Sequence, residues 1–276
     1  MIYLSQMTFP SNRDLDKEFG SSYPYNVFAP FDATEICFEP ITIFYGNNGS
    51  GKSTALNIIA EKTKISRDST YNKSSSFPNY INKCKTYIQN KIPKNSKIIT
   101  SDDVFDYILE IRCLNDGINV KREDVCQEYL DAKHARFQLK SMADYDELKT
   151  ITKARRETQT QFVKSKVMGN VSEHSNGESA FKYFVEKIGE NGLYVLDEPE
   201  NSLSPSKQLE LKKLIEDSAR FFKCQFIIST HSPFLLAMQG ARIYDFDKKP
   251  AITKHWTKLE NVRVYRDFFI SNEKEF

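Results

Sequence analysis

The sequence predicts an α/β fold in which a core of parallel or mixed sheet is interrupted by a helical subdomain. Three observations predict it. A short apolar, β-branched run, Ile41-Thr42-Ile43-Phe44-Tyr45, leads into a glycine-rich loop and then a helix-like run, Ala55-Leu56-Asn57-Ile58-Ile59-Ala60. Beyond about residue 175 the chain alternates strand-like and helix-like pieces again, at 193–196, 208–222 and 226–229. Between these two regions lies a more polar stretch, about 61–174, that is mostly helical in pattern. Alternation on both sides of a helical stretch is the pattern of one layered α/β core carrying an insertion. At 276 residues the chain is long enough to bury such a core as a single large domain.

The first region, about 1–60, begins with the strand-like pieces Ile2-Tyr3-Leu4 and Ile36-Cys37-Phe38 and ends in the loop GNNGSGKST. This loop fits G-x4-G-K-[ST], and it stands after a strand and before a helix, where a phosphate-binding loop must stand. Glycines 46, 49 and 51 let the backbone wrap closely, so that N–H groups and the helix N-terminus point at phosphate oxygens. The whole run Gly46, Asn47, Asn48, Gly49, Ser50, Gly51, Lys52, Ser53 and Thr54 is therefore the candidate nucleoside triphosphate contact. Lys52 is expected to reach the β- and γ-phosphates, and the Ser53 hydroxyl to ligate Mg²⁺.

The middle region is less specific. From 61 to 100 there are eight lysines and Arg67 against Glu61 and Asp68, which reads as a mobile basic excursion with a solvated surface. Val104, Phe105, Ile108, Leu109 and Ile111 fit one helix face, and 121–166 reads as long amphipathic helices. Lys153, Arg155, Arg156 and Lys164 fit two readings, a solvated helix face or contacts to DNA phosphates.

The third region, about 175–276, carries the remaining chemistry. Leu193-Tyr194-Val195-Leu196 is an apolar strand that ends in two acids. Asp197 is placed to hold Mg²⁺, and Glu198, projecting differently, to polarise water against a γ-phosphate. Phe226-Ile227-Ile228-Ser229 is another buried-type strand, and His231 follows it where an imidazole can sense that phosphate. Upstream, Ser175, Asn176, Gly177 and Glu178 open a helix, either as a second phosphate-facing N-terminus or as an ordinary cap.

Composition narrows the class further. Lysine and arginine number 39 against 37 acids, so net charge alone predicts neither a nucleic-acid nor a membrane partner. The five cysteines are odd in number, scattered and without a C-x-x-C pair, which reads as reduced cytosolic thiols. The four histidines are too dispersed to suggest a metal cluster. No apolar run approaches the length of a membrane span, and the start lacks a signal-peptide layout, so a cytoplasmic protein without membrane insertion is expected.

Taken in order, GNNGSGKST, HSNGES, YVLDEPENSLSP and STHSP resemble the motif series of ABC-type ATPases: Walker A loop, signature, Walker B with D-loop, and switch histidine. The signature is similar to the S-x-G-E form of the SMC, RecF and DNA-repair ATPase branch. Closer still, HSNGESAFKYF, GLYVLDEPENSLSPSKQL, FIISTHSPFLLAMQGARIYDFD and VYRDFFISNEKEF resemble small standalone bacterial predicted ATPases. The likeness covers roughly the first sixty and last hundred residues. It implies a P-loop NTPase fold, an ABC-type ATPase head, spanning 1–276 as one domain. It also implies a head-to-tail homodimer with two ATP molecules sandwiched between protomers. Lys52, Ser53, Asp197, Glu198 and His231 of one chain would then meet Ser175, Asn176, Gly177 and Glu178 of the other.

At the lobe junction, where ABC proteins carry a glutamine, Asp102 is the candidate Mg²⁺ ligand, although it stands equally well as a helix cap. Ser204 replaces the D-loop aspartate of transporters. Tyr23, Tyr25 and Arg67 are candidates for the adenine contact. The branch implies an effector acting on nucleic acid, such as a nuclease partner in DNA repair or defence against foreign DNA. A transporter's nucleotide-binding subunit and an ATP-dependent switch or sensor are the alternatives.

Overall fold

Buried, largely apolar strands set the centre of the structure. The computed structural model describes residues 1–13, 22–135, 145–169 and 176–275. They form two compact units, Met1–Phe105 with Asn176–Phe276, and Asp106–Ser175. The strands are β1 (Leu4–Thr8), β2 (Glu35–Cys37), β3 (Ile41–Tyr45), β4 (Lys85–Ile88), β5 (Lys97–Thr100), β6 (Leu193–Asp197), β7 (Gln225–Ser229), β8 (Arg242–Asp245) and β9 (Ile252–Thr253). The helices are α1 (Tyr25–Phe28), α2 (Lys52–Thr63), α3 (Phe77–Lys83), α4 (Ser101–His134), α5 (Tyr145–Arg156), α6 (Gln159–Lys166), α7 (Asn176–Lys187), α8 (Pro205–Phe221), α9 (Pro233–Leu236) and α10 (Glu260–Ser271).

In the first unit six strands form a sheet in the order β5-β6-β7-β3-β8-β9. The first five run parallel, and β9 closes the edge antiparallel to β8. β3 and β7 are buried at every position and β6 at all but its last, the continuous apolar reading of parallel strands covered on both faces. Ser229 pairs with Phe44 on one side and Asp197 on the other, so β7 lies between the strand that enters the loop and the strand that ends in acids. The loop after β3, the acids after β6 and the histidine after β7 thus emerge together at the carboxyl edge of the sheet, where open α/β sheets bind ligands.

A second, antiparallel sheet, β2-β1-β4, lies in the same unit. Gln225, fully buried at the start of β7, joins the two sheets. Its Oε1 accepts from the N–H groups of Tyr3 and Leu4 at 2.8 and 3.0 Å, while its Nε2 donates to the Leu4 carbonyl at 2.7 Å. Aromatic rings fill the space around these strands, with Phe9 stacked on Phe28 and Phe44 packed on Phe246, each pair 4.6 Å between centroids.

The lysine-rich stretch 61–100, expected as an excursion from the core, is built into this unit. Phe77, Tyr80 and Cys84 of α3 and its flank are buried in the core cluster, β4 pairs with β1, and β5 is an edge of the large sheet. A lysine on an exposed edge helps a strand avoid pairing with other chains, and Lys85 on the mostly exposed β4 reads as solvated surface, whereas Lys97 at the start of β5 is paired with Asp68 at 2.7 Å. On α4, the expected apolar face is narrower than its sequence suggested. Val104 and Ile108 are buried, while Phe105 and Leu109, one residue further round the helix, are exposed.

The second unit, which takes in α4 beyond Phe105 together with α5 and α6, has its own core of Val125, Tyr129, Ile151, Ala154, Phe162, Val163 and Val167. Thr158 and Gln161 form a capping box that starts α6. Among the described residues, no helix is long and apolar enough to cross a membrane.

Candidate nucleotide-binding site

The site is built outward from the loop after β3. Gly46 has φ of +155°, and a Cβ there would stand 2.7 Å from Ser50 Oγ. Gly51 caps α2 with φ of +101°, and a Cβ there would stand 2.9 Å from Val27 Cγ1. Neither position accepts a larger residue without strain. Between them Asn47, Asn48 and Gly49 are exposed and Ser50 is buried. The Asn47 N–H donates to Asp247 Oδ1 at 2.8 Å, anchoring the loop to the segment after β8. Lys52 opens α2 almost wholly buried, its ammonium donating to the carbonyls of Gly46 at 2.7 Å and Asn47 at 3.2 Å. Burial pushes the Lys52 ammonium below its ordinary pKa, opposed by Glu198 and Asp197 nearby. Thr54 accepts a hydrogen bond from the Tyr23 hydroxyl at 3.3 Å.

The acids after β6 meet this loop directly. The Ser53 hydroxyl donates to Asp197 Oδ1 at 3.0 Å, and the Ser229 hydroxyl donates to the same oxygen. Burial raises the pKa of Asp197, and those two hydroxyls counter it. Glu198 adopts φ of +48°, a left-handed conformation that costs a non-glycine residue about 1–3 kcal/mol and is concentrated at working sites. It is held there by its N–H, which donates to both the carbonyl and the hydroxyl of Ser229 at 3.1 Å. The turn carries the Glu198 carboxylate to 3.9 Å from Lys52 Nζ and 3.3 Å from His231 Nε2. The His231 imidazole beside it, then the Asn201 amide and Lys52, hold Glu198 down to about 2 against the opposing effect of burial.

Lys52, Ser53, Asp197, Glu198 and His231 are thus brought together within the first unit. Asp102 is exposed at the second residue of α4, whereas its neighbour Asp103 is buried. Asp103 accepts from the N–H groups of Ser69 and Thr100 at 2.9 and 2.7 Å, so the capping role falls to it. Asn176, Gly177 and Glu178 form the start of α7, with Gly177 lying against Ser202 and Ser204; Ser175 lies outside the described residues. Ser204 caps α8, its hydroxyl accepting from the Lys207 N–H.

Of the three adenine candidates, Tyr25 is fully buried against Tyr80 and is taken up by the core. Tyr23 and Arg67 are half-buried, Tyr23 stacked on Phe77 and Arg67 packed 4.1 Å over the Tyr71 ring. In the second unit Lys153 donates to Ser165 and Arg155 to the Ala135 carbonyl, while Arg156 and Lys164 are exposed.

Four residues that sequence reasoning did not single out support the site: Ser229, Asp247, Glu200 and Asn261. Glu200 Oε1 accepts from the N–H groups of His231 and Ser232, and Asn261 donates to the His231 carbonyl. Their partners lie 30 to 200 residues away in the chain. For Glu200 and Asp247, only their places within YVLDEPENSLSP and ARIYDFD hinted at a role.

A strand, a glycine loop and a helix that opens on a buried lysine, with a strand ending in paired acids one strand away in the same parallel sheet, define a P-loop nucleoside triphosphatase fold. Residues 173–236 match the family described as AAA ATPase domain, which agrees with the ABC-type ATPase resemblance of the motifs. Among solved structures, the chain is similar to an Smc head domain from Pyrococcus furiosus crystallised with the C-terminal domain of ScpA. That match has 13% identity and a TM-score of 0.44, covering 97% of this chain and 100% of that one. It is also similar to a nucleotide-free ATP-binding cassette from an ABC transporter, at 14% identity and a TM-score of 0.45, covering 96% and 95%. A third similar chain is an ATP-binding cassette solved as a dimer in a post-hydrolysis state with ADP and Pi, at 14% identity and 0.42, covering 94% and 100%. No curated protein matches significantly.

Proposed function

We propose that this chain binds ATP with Mg²⁺ at the loop 46–54 and hydrolyses it, and that two copies close head-to-tail around two ATP molecules. The observation that carries this reading is the convergence of Lys52, Ser53, Asp197, Glu198 and His231 at one sheet edge, within 3.0 to 3.9 Å of one another in the pairs described. The loop N–H groups and the start of α2 receive phosphate oxygens, and the Lys52 ammonium leaves its two loop carbonyls to meet the β- and γ-phosphates. Ser53 and Asp197 offer a hydroxyl and a carboxylate oxygen 3.0 Å apart. This hard donor set fits Mg²⁺, which takes one or two carboxylates and fills its shell with water and phosphate oxygens. Mg²⁺ held by Ser53 and Asp197 would neutralise negative charge on the phosphates.

Glu198, kept ionised, accepts a hydrogen bond from the attacking water. Phosphoryl transfer passes through a loose transition state, so orienting that water matters more than the strength of the base. His231, against Glu198, is placed to contact the γ-phosphate and to register its loss. Asn176, Gly177 and Glu178, with Ser175 before them, are the surface offered to the γ-phosphate of the other copy. Closure that ATP completes and hydrolysis releases would gate a separate effector, and the S-x-G-E signature favours one that acts on DNA, such as a nuclease. The test is the oligomeric state of Glu198→Gln with ATP and Mg²⁺. A dimer that forms with ATP and not with ADP supports the reading, and a variant that binds ATP yet stays monomeric contradicts the sandwich.

A further inference from the structure

Resting on the proposed role of His231, we propose that Glu200 is the positioning residue for that histidine, with Asn261 as its counterpart on the opposite side. Glu200 Oε1 accepts from the His231 N–H at 2.6 Å and from the Ser232 N–H at 3.2 Å. Asn261 Nδ2 donates to the His231 carbonyl at 2.9 Å, so the backbone is gripped at both its N–H and its C=O. The grip is anchored to the site's own frame. The Asn261 N–H donates to the Tyr45 hydroxyl at 3.2 Å, at the end of the strand that enters the phosphate loop. The Glu200 carbonyl accepts from the Leu203 N–H at 2.9 Å, in the turn after the acid pair.

An ordinary helix cap does not account for Glu200. Ser232 already caps α9, its hydroxyl accepting from the Leu235 N–H at 3.3 Å. The two N–H groups that Glu200 takes belong to the cap residue and the residue before it. Burial opposes the charged form of Glu200, and the His231 N–H counters this. A desolvated carboxylate is costly to retain, and here it holds one segment, the backbone that aims the imidazole at Glu198. Asn261 sits in the first turn of α10, so the grip also ties that helix to the histidine.

The experiment compares Glu200→Ala, Glu200→Gln and Asn261→Ala in steady-state ATP hydrolysis, and follows the His231 ring by NMR, its signal assigned through His231→Gln. Glu200→Ala is expected to lower kcat by about tenfold or more while KM for ATP moves less than about twofold. Glu200→Gln, which keeps one oxygen for both N–H groups, is expected to recover kcat to within about threefold of the wild type. The His231 signal should shift in Glu200→Ala and stay in Glu200→Gln. A folded Glu200→Ala with unchanged kcat and an unmoved His231 signal overturns the proposal, as does a Glu200→Gln variant as impaired as the alanine. If Glu200→Ala does not fold, Asn261→Ala carries the same test, since a shifted ring signal supports the grip and an unmoved one refutes it. Should His231→Gln itself hydrolyse ATP normally, the catalytic reading of His231 fails, while the ring signal still decides whether Glu200 positions it.

Discussion

Replacing Lys52 with methionine separates the fold from its proposed chemistry. The side chain is almost wholly buried, and its ammonium bonds two loop carbonyls, at 2.7 and 3.2 Å, with Glu198 at 3.9 Å. Methionine has a similar length and keeps the apolar stem packed. It gives up the two bonds, but it also removes a charge whose burial is unfavourable. The Asn47 carbonyl still accepts from the Ser50 N–H at 3.1 Å, whereas the buried Gly46 carbonyl loses its partner. These contributions oppose one another, and the net change in stability should stay within about 1 kcal/mol, a shift of about 2–4 °C in Tm for a chain near this size. ATP affinity should behave differently. A hydrogen bond to a charged group is worth about 1.5–3 kcal/mol, so losing the lysine–phosphate contact should raise Kd by about 10- to 150-fold. Fluorescent ATP-analogue titration and a ligand-free thermal melt measure the two quantities. Unchanged affinity refutes the phosphate-loop assignment, and a lost melting transition refutes the claim that Lys52 is dispensable to the fold.

Asp197→Asn should raise the ligand-free Tm at pH 7 and abolish Mg²⁺-dependent turnover. Burial raises the Asp197 pKa, so its contribution to stability is full below the unfolded value and lost as pH rises through the folded one. An aspartate whose replacement lowers Tm at pH 7 contradicts this. Glu198 behaves oppositely. Its pKa is lowered to about 2, so its contribution is full above the unfolded value and is lost progressively as pH falls from there through about 2. The kcat/KM profile of the free enzyme should therefore show no acidic limb assignable to Glu198 between about pH 5 and 7, and a limb there that vanishes in Glu198→Gln argues against its pairing with His231. Gly51→Ala should cost about 1–2 kcal/mol from its φ of +101°, and Val27→Ala in the same chain should relieve only the 2.9 Å clash. Full recovery in the double variant, measured by denaturant unfolding, would mean the backbone conformation is not the cause.

The strand-like runs at 41–45, 193–196 and 226–229 were legible because parallel strands buried on both faces read as nearly unbroken apolar runs, and the structure extends the last two by Asp197 and Gln225. The glycine loop was legible because its chemistry is local. β4 and β5 were not, since β4 is mostly exposed and reads as surface, β5 is only four residues long and opens on a lysine paired with Asp68, and only pairing with β1 and β6 reveals them. Asp102 and Asp103 are adjacent acids that the sequence alone cannot rank, whereas the fold buries one and exposes the other. Tyr25 looked as suitable for stacking on adenine as Tyr23 until its place against Tyr80 was seen. Glu200, Asp247 and Asn261 act through backbone groups far away in the chain, and no spacing rule reports a side chain whose partner is a distant N–H or carbonyl.

In the proposed mechanism Glu198 activates water against ATP held by Lys52, Ser53 and Asp197. Single-turnover hydrolysis of ATP by the wild type and by Glu198→Gln tests it most directly, with bound nucleotide and released phosphate measured in the same reaction. Both proteins should bind ATP, and phosphate release in the variant should fall by about 100-fold or more. A variant that releases phosphate at the wild-type rate would place the base elsewhere and refute the role of Glu198.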